Sequence, residues 1–100
     1  MDKFEVPAIP SAKVIIRGRF TFEMHKEFRE SFDKQLAGDS SKIIVDFDAV
    51  DYIDSAALGM LLLARERAAA HGKRVELANC RGGVKAVLDI AIFLKLFVIR

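Results

Sequence analysis

Short continuous runs of apolar residues, typical of buried strands, recur along the chain. The run at Lys42–Phe47 is the clearest, and it predicts a central strand that is covered on both faces. Similar runs predict strands at Ala12–Arg17, Lys73–Ala78 and Leu96–Ile99, while Phe4–Val6, followed by prolines, predicts an edge strand. The chain is therefore expected to build its core around a sheet.

Between these runs, apolar residues repeat at helical spacing. One stripe recurs at every fourth position and predicts a helix, for which Thr21 is the expected cap. Its members are Met24, Phe28, Phe32 and Leu36. A second helix is predicted from Ser55 to about His71, before Gly72, and a third over residues 84–91. The order β-β-α-β-α-β-α-β predicts an α/β fold with a central mixed sheet and helices mainly on one side.

Composition restricts the class of protein. One hundred residues, 52% of them hydrophobic, predict a single globular domain over residues 1–100 and exclude disorder. A net charge of +2 is too small to indicate nucleic-acid binding. Cys80 is the only cysteine, which excludes a disulfide framework and fits a reducing compartment. No apolar run approaches the roughly 20 residues of a membrane span, and Met1–Val6 lacks a signal-peptide pattern, so we expect a soluble cytoplasmic protein.

The segment from Ile43 to Ala64 is the most informative part of the sequence. It predicts a buried strand, a short acidic loop and a helix that begins beside Asp54 and Ser55. The first two turns of that helix, Ala56–Ala64, carry no charge. A serine at a helix start is either a plain cap or a site that a phosphate can modify. Asp54 is equally a candidate cap or a recognition residue for a kinase.

Residues 44–59 resemble the signature of the STAS domain, and more narrowly that of stand-alone bacterial anti-sigma-factor antagonists. The resemblance rests on Asp54-Ser55 and Leu58-Gly59 at the expected distance after a buried strand. Residues 84–88 and 93–97 resemble the family's closing helix and strand, and residues 17–21 stand where the family places its second strand and loop. Ala57 departs from the glycine that is usual at its position.

The resemblance implies a binding module without cofactor or catalytic residues. Unphosphorylated antagonists bind an anti-sigma factor that is also a serine kinase of histidine-kinase-like fold. Phosphorylation of the serine that Ser55 matches breaks the complex, and a metal-dependent serine phosphatase restores it. The implied contact surface comprises Phe20, Thr21, Phe22, Asp54, Ser55, Ala56, Ala57, Leu58, Gly59 and Met60.

Other functions fit the residues less well. A STAS subunit could instead dock the same helix on the ATPase of a lipid ABC transporter without being phosphorylated. Hydrolase chemistry is disfavoured because His71 lies at the far end of the helix of Ser55 and no Gly-x-Ser-x-Gly motif is present. Four carboxylates could bind Mg²⁺, but they are interpreted as loop residues and caps. They are Asp46, Asp48, Asp51 and Asp54.

Overall fold

The described part of the chain is a parallel sheet with three helices. The computed structural model describes residues 12–90 and 98–99. Its elements are β1 (Ala12–Phe20), a 3-10 turn (Phe22–Met24), α1 (His25–Leu36), β2 (Lys42–Ile53), α2 (Ser55–Ala70), β3 (Arg74–Ala78), α3 (Gly82–Ile90) and β4 (Val98–Ile99). The strands lie in the order β1-β2-β3-β4, and all three pairings are parallel. The α/β class is confirmed. The strand expected at Phe4–Val6 lies outside the described residues, and so does any antiparallel pairing that it would add to the sheet.

All three helices pack on one face of the sheet. Because side chains alternate between the two faces of a strand, β1 buries Val14 and Ile16 and exposes Ile15. The buried cluster also takes side chains from β2, β3 and every helix. They include Phe28, Phe32, Leu36, Ile43, Val45, Phe47, Leu61, Ala64, Ala68, Val75, Leu77, Val84 and Leu88. Each large apolar side chain in this layer contributes about 1.5–3 kcal/mol through burial. The expected one-sided placement of the helices is confirmed.

β1 continues beyond the point where the sequence predicted its end. Gly18 adopts φ 73°, and the pairing of β1 with β2 shifts register between Ile15 and Arg17 and again between Gly18 and Arg19. A glycine at such an irregularity supplies the positive φ without ending the strand. The strand then reaches Phe20, whose side chain returns to the core.

β2 runs through the segment that was expected to be an acidic loop. Asp48 and Asp51 face solvent. Val50, which lies between them, is buried, and so is Ile53, which follows them, so the segment keeps the burial pattern of a strand. The loop prediction is wrong because these apolar positions keep β2 paired with β1. At the end of this pairing, Ile53 lies beside Phe20, which brings the ends of both strands to the start of α2.

The helix predictions are confirmed except for one cap. Thr21 precedes the 3-10 turn, and its side chain makes no capping hydrogen bond, so the prediction of Thr21 as a cap is wrong. α1 itself begins at His25. The stripe of α1 is buried from Phe28 onward, as the four-residue spacing predicted. α2 ends before His71, and Gly72 follows at φ 71°, the left-handed conformation that favours glycine after a helix.

Candidate functional site

The start of α2 is capped by Asp54. Its backbone is extended, at φ −107° and ψ 175°, and its Oδ1 accepts a hydrogen bond of 2.8 Å from the backbone N–H of Ala57. Ser55 is therefore the first helical residue, and its side chain is exposed. The interpretation of Ser55 as the plain cap is wrong, because Asp54 occupies that position. The hydroxyl of Ser55 is left available for another role.

Asp54 also joins the helix start to the loop after β1. Its Oδ2 accepts a hydrogen bond of 3.3 Å from the backbone N–H of Phe22. Its own N–H donates to the carbonyl oxygen of Phe20 at 3.3 Å. One residue thus fixes the position of the β1–α1 loop relative to the first turn of α2. This explains how segments more than 30 residues apart in sequence, 20–22 and 54–57, form one surface.

Two exposed, stacked rings lie beside the start of α2. The ring of Phe22 is 59% exposed and stacks on His25, with 4.6 Å between ring centroids and 10° between the planes. The Nδ1 atom of His25 lies 3.1 Å from the carbonyl oxygen of Phe22. His25 was not among the residues predicted to contribute to the contact surface. The spacing of an aromatic residue and a histidine three positions apart is the signal that could have indicated the stack.

Two of the ten expected contact residues lie in the core. Phe20 is fully buried, with its ring centroid 5.2 Å from that of Phe28 and 5.9 Å from that of Phe47. Ala57 is also fully buried, because it faces the sheet from the first turn of α2. Neither side chain is open to a partner in this structure, so including them in a contact surface was wrong.

The other expected residues form one accessible patch. Phe22, Ser55 and Gly59 are exposed. Thr21, Asp54, Ala56, Leu58 and Met60 are half-buried. A methyl group placed on Gly59 would meet no atom within 4 Å, so the space above this turn is open. We call the surface formed by Phe22, Ser55, Ala56, Gly59 and Met60 the Ser55 patch.

Two acidic residues of β2, Asp46 and Asp48, are engaged in structural contacts. Asp46 accepts hydrogen bonds of 2.9 Å from the Asn79 amide and from the backbone N–H of Asp48. These two donors, helped by the charges of Lys13 and Arg81, lower the pKa of Asp46 in spite of its partial burial. Asp48 forms an ion pair of 3.0 Å with Arg81. Within residues 12–90, no group of three or more histidine, cysteine or acidic side chains is arranged to hold a metal ion.

Cys80 has the character of a weakly acidic thiol. It is half-buried against the core, and burial raises its pKa to about 11. A group with this pKa is almost entirely protonated near neutral pH, and the thiolate is the reactive form of cysteine.

No helix among the described residues has the length and apolar content that crossing a bilayer requires.

Comparisons with known proteins agree with this architecture. Residues 3–100 match the model of the STAS domain family. A STAS-domain containing protein of Pseudomonas aeruginosa strain UCBPP-PA14 is 38% identical over 97 residues, which cover 92% of this chain and 95% of that protein.

Solved structures with a similar fold include proteins of two kinds. A sulfate transporter family protein from Wolinella succinogenes has a TM-score of 0.78 at 17% identity, with 93% of this chain and 80% of that chain covered. The unphosphorylated anti-sigma factor antagonist SpoIIAA has a TM-score of 0.76 at 17% identity, with 98% and 86% covered. The phosphorylated form of SpoIIAA, a Bacillus cell fate determinant, has a TM-score of 0.67 at 16% identity, with 98% and 89% covered. The family match over nearly the whole chain, together with the 38% identical relative, establishes that this chain belongs to the STAS domain family.

Proposed function

We propose that the chain is a phosphorylation-switched binding module, an anti-sigma-factor antagonist of a partner-switching pathway. In this proposal it binds a serine kinase/anti-sigma factor while Ser55 is unmodified and is released once Ser55 is phosphorylated. The observation that carries the proposal is the exposed Ser55 side chain on a helix start that Asp54 already caps. The existence of unphosphorylated and phosphorylated forms of SpoIIAA, which share the fold, supports it.

A phosphate on Ser55 would affect a partner far more than the fold. Phosphoserine carries a charge of about −1.5 to −2 near neutral pH. At a helix start, the dipole and the unpaired N–H groups favour an anion by about 0.3–1 kcal/mol, which offsets part of the repulsion from the Asp54 carboxylate. Since Ser55 is exposed, the phosphate displaces no packed side chain. The chain can therefore carry the modification without unfolding.

The phosphate on Ser55 lowers the stability of the complex with the partner. Burying an uncompensated anion in a protein contact costs several kcal/mol. A penalty of about 3–4 kcal/mol lowers affinity more than a hundredfold, which is sufficient for a switch. The small residues Ala56 and Gly59 let a partner's backbone approach the hydroxyl closely, as a kinase must do to transfer phosphate. The partners we propose are a serine kinase of histidine-kinase-like fold and a metal-dependent serine phosphatase, and we assign the chain itself no enzymatic activity.

The proposal is tested by capturing partners from the native cell with three baits, the wild type, Ser55→Ala and Ser55→Asp. We expect a kinase to be captured by the first two and much less by the third. The purified kinase with ATP should add one phosphate to the wild type and none to Ser55→Ala, as intact-mass analysis will show. Ser31→Ala is the matched control, since Ser31 is exposed on α1 and its loss should leave phosphorylation unchanged.

Binding that is equal for all three baits would show that Ser55 is not the switch. Capture of an ABC transporter ATPase, independent of the residue at position 55, would instead support a transporter-regulating role for the same helix.

A further inference from the structure

A groove lies between α1 and α2, next to the Ser55 patch. Its volume is about 270 Å³. Its lining comes from α1, between His25 and Phe32, and from α2, between Met60 and Arg67. The deepest lining residues, Phe28, Phe32 and Ala64, are buried, so the base of the groove is apolar. Leu63 forms part of the wall and is 61% exposed, so the apolar lining of the groove continues to the surface.

The Ser55 patch alone offers a partner little side-chain surface to bury. Its helical part consists mainly of serine, alanine and glycine, which have few side-chain atoms to bury. Protein interfaces gain most of their affinity from a few anchors that enter well-packed pockets. Two residues connect the patch to the groove, because Met60 belongs to both and His25 stacks on Phe22. The groove therefore lies where an interface centred on Ser55 would find an anchor site.

The charges at the groove indicate what the anchor segment carries. Asp33 forms ion pairs with Arg67 and, at 3.9 Å, with Arg29. Two guanidinium groups that line the groove thus share one carboxylate, and none of the residues that line the groove is acidic. Arg67 is twelve residues after Ser55 on α2, which corresponds to about 18 Å along the helix axis. A complementary segment would place apolar residues along the groove and an acidic residue near Arg67.

We propose that the groove binds an amphipathic helix of the kinase partner. In this arrangement a leucine or phenylalanine side chain enters between Phe32 and Leu63, and a carboxylate pairs with Arg67. The part of α2 that lines the groove, from Met60 to Arg67, is about 10 Å long, which two turns of helix match. Helices bind grooves of this kind through apolar residues at i, i+3, i+4 and i+7. The inference rests on the proposed function, since it identifies how the same partner is held while Ser55 controls release.

The test measures binding of the kinase that phosphorylates Ser55 by titration calorimetry. Leu63→Ser and Arg67→Gln should each raise the dissociation constant at least tenfold. Because Leu63 is mostly exposed, its substitution should leave the melting temperature nearly unchanged, which keeps the test valid if Arg67→Gln affects folding. Glu66→Ser is the matched control, as Glu66 is exposed on the same helix and does not line the groove. It should bind like the wild type.

Each alternative outcome overturns a defined part of the reasoning. If Leu63→Ser and Arg67→Gln bind like the wild type while Ser55→Asp does not bind, the groove proposal is wrong and the proposed function stands. If Glu66→Ser weakens binding as much as Leu63→Ser, the groove is not the specific anchor site and the proposal is also wrong. If no kinase binds the wild-type chain, both proposals fail.

Discussion

Substituting Asp54 with alanine separates the structural role of this residue from the regulatory role that we propose for Ser55. Asp54→Ala removes the acceptor for Ala57 N–H at 2.8 Å and the acceptor for Phe22 N–H at 3.3 Å. The first is a helix cap, whose loss costs about 1 kcal/mol. The second is longer and exposed, so its loss costs about 0.5 kcal/mol. We expect the free energy of unfolding to fall by about 1.5 kcal/mol.

Thermal and urea unfolding will measure this loss. For a domain of this size, 1.5 kcal/mol corresponds to a decrease of about 6–12 °C in melting temperature. Ser55→Ala should change the free energy of unfolding by less than about 0.5 kcal/mol, because Ser55 is exposed and does not cap the helix. Asp51→Ala, which removes an exposed carboxylate from β2, controls for the loss of one negative charge and should be similarly mild.

The assignment of Asp54 as the cap of α2 is refuted if Ser55→Ala destabilises the chain as much as Asp54→Ala. In that case the hydroxyl would serve as the cap in solution. Effects of Ser55 substitutions on partner binding would then have to be separated from effects on folding. If Asp54→Ala proved as mild as Asp51→Ala, neither hydrogen bond would contribute measurably to stability.

Two further predictions concern Asp46 in β2 and Cys80, which follows β3. Asp46→Asn should lower the free energy of unfolding at pH 7 by about 1–2 kcal/mol, because two hydrogen bonds to a charged acceptor are weakened. The pKa of Asp46 is lower in the folded chain than its unfolded value of about 3.9. The stability advantage of the wild type should therefore persist above pH 4 and disappear as pH falls through the folded pKa. If urea titrations showed a constant difference in the free energy of unfolding down to pH 2, the lowered pKa of Asp46 would be contradicted. Cys80, with a pKa of about 11, should have a thiolate fraction at pH 8 about a hundredfold smaller than that of a thiol of pKa 9.0. Because a thiolate of higher pKa is more nucleophilic, its reaction with iodoacetamide should be slower by about tenfold. Mass analysis of folded and urea-unfolded chain will measure this, and equal rates would show that burial does not protect the thiol.

The sequence predicted the parts of the fold that depend on simple periodicity. The four-residue spacing of Phe28, Phe32 and Leu36 identified α1 and its buried face. The apolar run that starts at Lys42 identified the central strand. Both patterns are local, so they survive without knowledge of neighbouring segments.

The ends of β1 and β2 could not be predicted because they depend on each other. Gly18 resembles a strand end, and Asp48 and Asp51 resemble a loop, when each segment is considered alone. In the structure, two register shifts let Phe20 and Ile53 meet at the core, and the pairing extends both strands. An irregular pairing between distant segments has no periodic signal in either of them.

The candidate site was predicted in outline and not in its contacts. The family motif correctly placed Ser55 on the surface at the start of a helix. It did not show that Phe20 and Ala57 face the core, nor that His25 stacks on Phe22. Phe20 and Ala57 face the core because β1 and the first turn of α2 pack into one buried cluster, and this tertiary packing has no signal in either segment alone.

Under the proposed function, the separate roles of residues 54 and 55 affect how the regulatory pathway can evolve. Because the aspartate alone secures the first turn of α2, the neighbouring codon can change with little penalty in folding. Single substitutions at that codon could convert a reversible regulator into a permanently bound or a permanently released one. Duplicated copies of the chain could thus acquire opposite regulatory behaviour while keeping one scaffold.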